Sequence, residues 1–311
     1  MLQTLVDKSL LKRDIDGRYR IHELLRQFAA EQLERQVGAA DTALDRHAAY
    51  YLDFAARQWP LLTSARQLDT LETMRRELEN VRAAWSYAAQ RQQLDRLQPA
   101  LLPLWYFHLL TYRYEDGRQM FLSADKSLRV CKYGDEAARA FYAYFISRFS
   151  SFVSRGDVEV QMLHEALDLQ ATAPHPPVHR AHLLLSAIHA YTSAIGLLMR
   201  YVPDWAALLQ AYAEESLVLC EQHGGIWEQA QAHYAQALVY AIKREPHLAR
   251  EWGERALVLA EDSGDLSLIG NLAGPFLGQV AEFMEDYSAV RRFRHRSNEV
   301  LAHSGYWMER S

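Results

Sequence analysis

Apolar residues recur three and four positions apart through almost the whole chain, and period-two alternation is nearly absent after residue 21. That spacing predicts helices laid side by side. Leu2 to Leu10 reads as a helix. Lys12 to Asp14 and Arg18 to Ile21 flank Asp16-Gly17, a dipeptide suited to a tight hairpin turn. His22 to Gln36 is amphipathic, with Leu24, Leu25, Phe28, Ala29 and Leu33 on one side. Helices over Thr42–Trp59 and Ala65–Gln90 follow, then five helix pairs at about 95–131, 135–171, 178–222, 226–262 and 266–304.

The breaks between these segments carry their own chemistry. Gly-Asp occurs at Gly134-Asp135, Gly156-Asp157 and Gly264-Asp265. Glycine ends one helix in the left-handed conformation, and aspartate caps the next by accepting its free amide protons. Gly224-Gly225 and Glu245-Pro246 punctuate the chain in the same way, and Ser64 with Gln67 has capping-box spacing.

The second helices of the pairs resemble one another. Tyr212–Cys220 (YAEESLVLC) aligns with Trp252–Ala260 (WGERALVLA) at an offset of 40, and Leu163–Leu169 and Leu122–Val130 fit the same slot. Small residues recur three apart there: Ala213 and Ser216, Gly253 and Ala256, Ala124 and Ser127, with Leu163 before Ala166 in the remaining copy. The preceding helices carry aromatics seven apart, Trp105 with Tyr112 and Trp227 with Tyr234. An aromatic helix followed by a small-residue helix is the tetratricopeptide pattern, with a period somewhat longer than the standard repeat. The expected fold class is therefore all-α: a tetratricopeptide-like right-handed superhelix. The helix, hairpin and helix of the first 37 residues read as the tail of a winged-helix domain containing one β-hairpin. The expected division is a partial winged-helix domain at 1–37, a helical linker at 38–94 and about five repeat pairs at 95–311.

Composition narrows the function classes. Of 311 residues, 50% are hydrophobic and 23% charged, which is ordinary globular material, not a disordered chain. A formal net charge of -5 argues against whole-surface attraction to nucleic acid or anionic membrane. Cys131 and Cys220 stand far apart, with no disulfide framework or CxxC pair, which fits a cytoplasmic protein. Ala181–Met199 lacks acidic and basic residues but contains His182, Ser186, His189, Tyr191 and Thr192, so it reads as a buried helix, not a membrane span.

Catalytic signatures are missing: the chain has no G-x-S-x-G and no H-E-x-x-H, and its carboxylates fall at helix-surface spacing. A non-enzymatic role is expected, with no cofactor in this chain. His175, His179, His182 and His189 form the densest histidine group, read as a loop and a polar helix start in preference to a zinc site. Arg291, Arg292, Arg294 and Arg296 spread around a helix axis, which makes a weak phosphate-binding stripe. Solenoids bind protein, peptide or small-molecule partners on the concave face. Tyr142, Phe145, Phe149, Tyr191 and Tyr234 are the candidates to line that groove.

The segment LVDKSLLKRDIDGRYRIHELLRQFAAEQL, Leu5 to Leu33, resembles the end of the winged-helix domain in bacterial STAND signalling ATPases. These are the NB-ARC-type transcriptional regulators described as AfsR/SARP-like or MalT-like. RHAAYYLDFA (Arg46–Ala55), LENVRAAWSYA (Leu78–Ala88) and LWYFHLLTYRYEDGRQMF (Leu104–Phe121) are similar to that family's linker and first sensor repeats. The resemblance implies an upstream nucleotide-binding domain that holds ADP or ATP, with repeats that sense an inducer or protein. It places Ile21-His22-Glu23 at the family's Met-His-Asp motif, whose histidine contacts the ADP phosphate; His22 matches and Glu23 departs. No G-x-x-x-x-G-K-[ST] is present, so nucleotide binding is expected of a longer parent, not of this chain. Two rival expectations are a winged-helix nucleic-acid module, weakened because Leu2–Leu10 carries only Lys8, and a freestanding scaffold.

Overall fold

Helix follows helix, as the apolar spacing requires. The computed structural model describes residues 2–14, 17, 19–36, 38–153, 156–193, 202 and 204–304. Helix α1 (Leu2–Asp7) leads into strands β1 (Leu11–Arg13) and β2 (Tyr19–Ile21), which pair antiparallel with Leu11 opposite Ile21. Helix α2 (Glu23–Glu34) closes this unit. The remainder is all-α. It runs through α3 (Ala39–Ala56), the single turn α4 (Trp59–Leu62), α5 (Gln67–Gln90), α6 (Leu94–Leu110), α7 (Tyr114–Leu128), α8 (Glu136–Phe149) and α9 (Gly156–Ala171). Next come α10 (Pro177–Ser193), α11 (Trp205–His223), α12 (Ile226–Ile242) and α13 (Pro246–Ser263). The last described pair is α14 (Leu266–Asn271), a π-helical stretch Leu272–Gly278 and α15 (Gln279–Phe283), set against α16 (Tyr287–Ser304). Pro275 lies in the π-helical stretch, where a wider turn accommodates a residue that lacks the amide hydrogen.

Four described turns between successive helices do not use glycine. Gln92, Tyr112, Arg244 and Glu285 all have φ between 54° and 61°. In each case the next residue's amide reaches back five positions: Gln93 to Ala88, Arg113 to His108, Glu245 to Tyr240 and Asp286 to Ala281, at 2.9–3.0 Å. Each turn residue's own amide bonds three back, at 3.0–3.2 Å. These are Schellman caps, which satisfy the orphan carbonyls at the helix end. Tyr112 is consequently a turn residue and 59% exposed, not a second aromatic on the face of Trp105.

The Gly-Asp junctions divide. Gly264 is left-handed (φ 80°) and Asp265 accepts from the Leu268 amide, as expected. Asp135 caps α8 through the Ala138 amide, but Gly134 is extended, at φ -80°. Gly156 and Asp157 both lie inside α9. Ser64 forms no capping box with Gln67. Its hydroxyl accepts from the Arg66 amide, and the Gln67 side chain turns elsewhere.

Small residues do let helices close up. Ala213, Ser216, Ala256 and Ala166 are fully buried, and a Cβ on Gly253 would come within 2.8 Å of Leu277 and 2.9 Å of Phe276. The first copy is shifted by three positions. Phe121 and Ala124 are buried where Ala124 and Ser127 were expected, and Ser127 is only half-buried. Phe121 stacks between Trp85 (5.7 Å) and Phe145 (5.5 Å), so this layer is filled by rings. The core runs without a break from Ala48 on α3 into the later helices, because α3 packs on both α5 and α6.

Candidate functional site

Helix α8 is buried on every side from Ala140 to Phe149, so any polar group on it is drawn inside. Arg148 is the charged one, and 3% exposed. One guanidinium nitrogen, Nη2, donates to the His182 carbonyl and to the Ser186 hydroxyl, both on α10. The group lies 4.7 Å from the centre of the Trp105 ring and 5.9 Å from that of Tyr144, so aromatic faces offset part of its charge. Nε is buried with no hydrogen-bond partner among the described residues, and no carboxylate among them pairs with this arginine. Burial lowers its pKa to about 10, so it stays cationic at neutral pH.

Arg148 borders a cavity of about 380 Å³. Most of the wall comes from α6, α8, α10, α12 and α14, the first helices of the five expected pairs, with Tyr114 of α7 and Glu159 of α9 at its edge. Trp105, Tyr106, Trp227 and Tyr234 give flat apolar surface, and Ser186, His189, Gln231 and Asn271 give polar edges. A few polar groups on a mainly apolar wall are the usual constitution of a small-molecule site. The histidines here are neutral. Burial, then the charge of Arg148, pushes His189 down to about 4. Burial likewise holds His182 below its ordinary range, with Nδ1 3.1 Å from the Tyr144 hydroxyl and Nε2 3.4 Å from Glu228.

Two cavity residues also belong to a second buried constellation. Asp265, fully buried, accepts from the Tyr106 hydroxyl, Trp227 Nε1 (2.9 Å), Gln67 Nε2 (2.8 Å) and the Leu268 amide (3.0 Å). Burial pushes this carboxyl above its ordinary range, and the four donors pull against that. Trp59 on α4 meets Trp227 edge-on at 4.9 Å and Tyr106 at 5.7 Å. The Trp59–Gln67 segment is thus bolted to the α13–α14 turn through the same rings that wall the cavity.

The groove candidates fare unevenly. Phe145 and Tyr191 are enclosed in the core, and Phe145 stacks on Phe121. Tyr142 and Phe149 are also buried, at 2% and 6%, and only edge a separate cleft of about 530 Å³ between α7, α8 and α9. There the Tyr142 hydroxyl donates to Asp125, which Arg129 already pairs. Aromatics in a run on one buried helix pack against neighbours on all sides, which explains Tyr142, Phe145 and Phe149 on α8; Tyr191 is enclosed separately on α10. Tyr234 is half-buried and does line the Arg148 cavity, 5.5 Å from His189.

His22 is exposed and caps α2, its Nδ1 accepting from the Leu24 amide at 3.3 Å. His179 stacks on Tyr144 at 3.9 Å. The basic run is largely paired, Arg294 with Glu282 and Arg296 with Glu261, and Phe293 is buried. Among the described residues no helix is long and apolar enough to cross a membrane. Residues 194–199 of the uncharged stretch lie outside the described residues.

Sequence reasoning missed Arg148 and the role of Asp265. A lone arginine inside FYAYFISRFSSF was the available signal, since a charge in the middle of an aromatic-rich, otherwise uncharged run has to be accommodated by something.

No family model matches the chain, and no curated protein does. Among solved structures it is similar to BtubC (BKLC) from P. vanneervenii, with a TM-score of 0.45 and 13% sequence identity. The likeness covers 85% of this chain and 92% of that one.

Proposed function

We propose that this chain is a non-catalytic sensing module that receives a small molecule in the cavity between its first helices. We further propose that it serves a STAND-type nucleotide-dependent regulator, on the strength of the Leu5–Leu33, Arg46–Ala55 and Leu104–Phe121 segments. The repeats act as a tetratricopeptide-like superhelix, and the first helices of the pairs form its inner wall.

One observation carries the sensing reading: Tyr106 and Trp227 both wall the cavity and hold the Trp59–Gln67 bolt. A ligand that moved either ring would be felt on the α4–α5 side, toward the hairpin unit. Such a switch requires the ligand to bind the two arrangements with different affinity. Leu24 and Phe28, 68% and 59% exposed on α2, offer an apolar face for another domain of the parent. There His22 would meet the nucleotide that the upstream domain holds.

Native mass spectrometry after incubation with the small-molecule fraction of a cell extract tests this reading. The expected result is an adduct of small-molecule mass on the wild-type chain, lost in Leu185→Trp, whose indole fills the cavity. No adduct, or equal adducts on both, overturns it.

A further inference from the structure

A cation in an apolar cavity has three ways to be balanced: a carboxylate of the chain, water, or a bound anion. For Arg148 the first is missing among the described residues. Its compensation consists of the His182 carbonyl, the Ser186 hydroxyl and the Trp105 face, all neutral. A charge kept so deeply buried is costly when its only partners are dipoles. No carboxylate among the described residues contacts it directly: the nearby histidines are neutral, Glu228 directs its negative charge to the Gly225 amide (3.0 Å) and to His182, and Glu159 stands on the cavity rim unpaired with Arg148.

From this we infer that the cavity takes a small monoanion with a flat apolar body, its carboxylate set against Arg148 and its rings between Trp105 and Tyr234. The inference deepens the proposed sensing function and rests on the cavity being a small-molecule site. A single positive charge calls for a single negative one. Arg148 has spent Nη2 on α10, which leaves less of its fork than a phosphate dianion would need. Glu159, half-buried on the rim, disfavours a second anionic group there. The size fits: about 380 Å³ lies at the lower end of ligand pockets, which run from about 300 to 1,000 Å³.

Isothermal titration calorimetry on the full chain tests the charge assignment. The probes are benzoate, phenylacetate and naphthalene-2-carboxylate, each beside its carboxamide, with inorganic phosphate as a further arm. At least one acid is expected to bind at least tenfold more tightly than its amide. That preference is expected to vanish in Arg148→Met and survive in part in Arg148→Lys. Circular dichroism establishes that each variant is folded. Should Arg148→Met not fold, Leu185→Trp replaces it, and acid binding is expected to be lost there with Arg148 intact. Equal binding of acid and amide, or unchanged acid binding in Arg148→Met, overturns the anion assignment while leaving a small-molecule site. Arg148-dependent binding of phosphate and not of the acids also overturns it. No binding by any probe overturns the assignment together with the choice of this cavity.

Discussion

Gln67 Nε2 donates to Asp265 Oδ1 at 2.8 Å across 198 positions of sequence, and the same amide nitrogen bonds the Leu62 carbonyl at 2.7 Å. The Gln67 carbonyl oxygen accepts from the Ser267 amide at 3.3 Å. One side chain thus joins the start of α5 to the start of α14. Asp265→Ala removes the acceptor of four donors at once. With about 1–3 kcal/mol for each buried polar group left unpaired and partial relaxation, the loss should be about 3–5 kcal/mol. Gln67→Ala should cost about 1–2 kcal/mol on the same scale. Urea unfolding with unchanged slope is the check, and a loss under 1 kcal/mol for Asp265→Ala would refute the node.

Gly264 gives a second test of the same junction. Its φ of 80° disfavours any side chain, and a Cβ there would lie 2.6 Å from the Ala65 amide nitrogen. Gly264→Ala should therefore destabilise by about 1–3 kcal/mol, although alanine is generally the stabilising exchange in helical proteins. Gly253→Ala, which gains helix propensity but collides with Leu277 and Phe276, should also lose stability, by about 1–2 kcal/mol. Thermal unfolding distinguishes these outcomes from a neutral exchange.

Acid should weaken the fold before the carboxylates titrate. Burial pushes His108 and His189 each down to about 4. In the unfolded chain they take up protons near pH 6.5, so between about pH 6.5 and 4 the unfolded state binds more protons and stability falls as pH falls. Each should contribute a loss on the order of 1–2 kcal/mol between pH 7 and pH 5. Asp265 works the other way. Its raised pKa favours the protonated folded form, and that contribution grows as pH drops through the folded value. His108→Asn, which can keep the bond to the Leu104 carbonyl, should flatten the pH dependence of the urea midpoint. An unaltered profile would contradict the buried neutral imidazole.

His22 should matter little to this chain alone. Its cap on α2 is exposed and 3.3 Å long, so His22→Ala should cost about 0.5 kcal/mol or less. ADP should give no heat on titration into the chain, because the resemblance assigns the nucleotide to an upstream domain. Saturable ADP binding lost in His22→Ala would refute that division of labour.

Much of the helical order was legible in sequence, because three-four apolar spacing marks a buried helix face wherever it occurs. Boundaries near Gly264-Asp265 followed from capping chemistry. The Schellman turns at Gln92, Tyr112, Arg244 and Glu285 were hidden, since a left-handed residue there need not be glycine when two carbonyls gain bonds. The burial of Tyr142, Phe145, Phe149 and Tyr191 was hidden for a related reason. An aromatic marks a packed surface, and which side of the helix is packed is decided by neighbours far off in the chain. Arg148 and Asp265 became legible only in three dimensions, where their partners come from other helices.

The sharpest single measurement is a crystal structure of the chain with saturating naphthalene-2-carboxylate. The account predicts the carboxylate within hydrogen-bond distance of Arg148 and the rings between Trp105 and Tyr234. A probe bound outside this cavity, or within it with its carboxylate turned away from Arg148, would contradict the account.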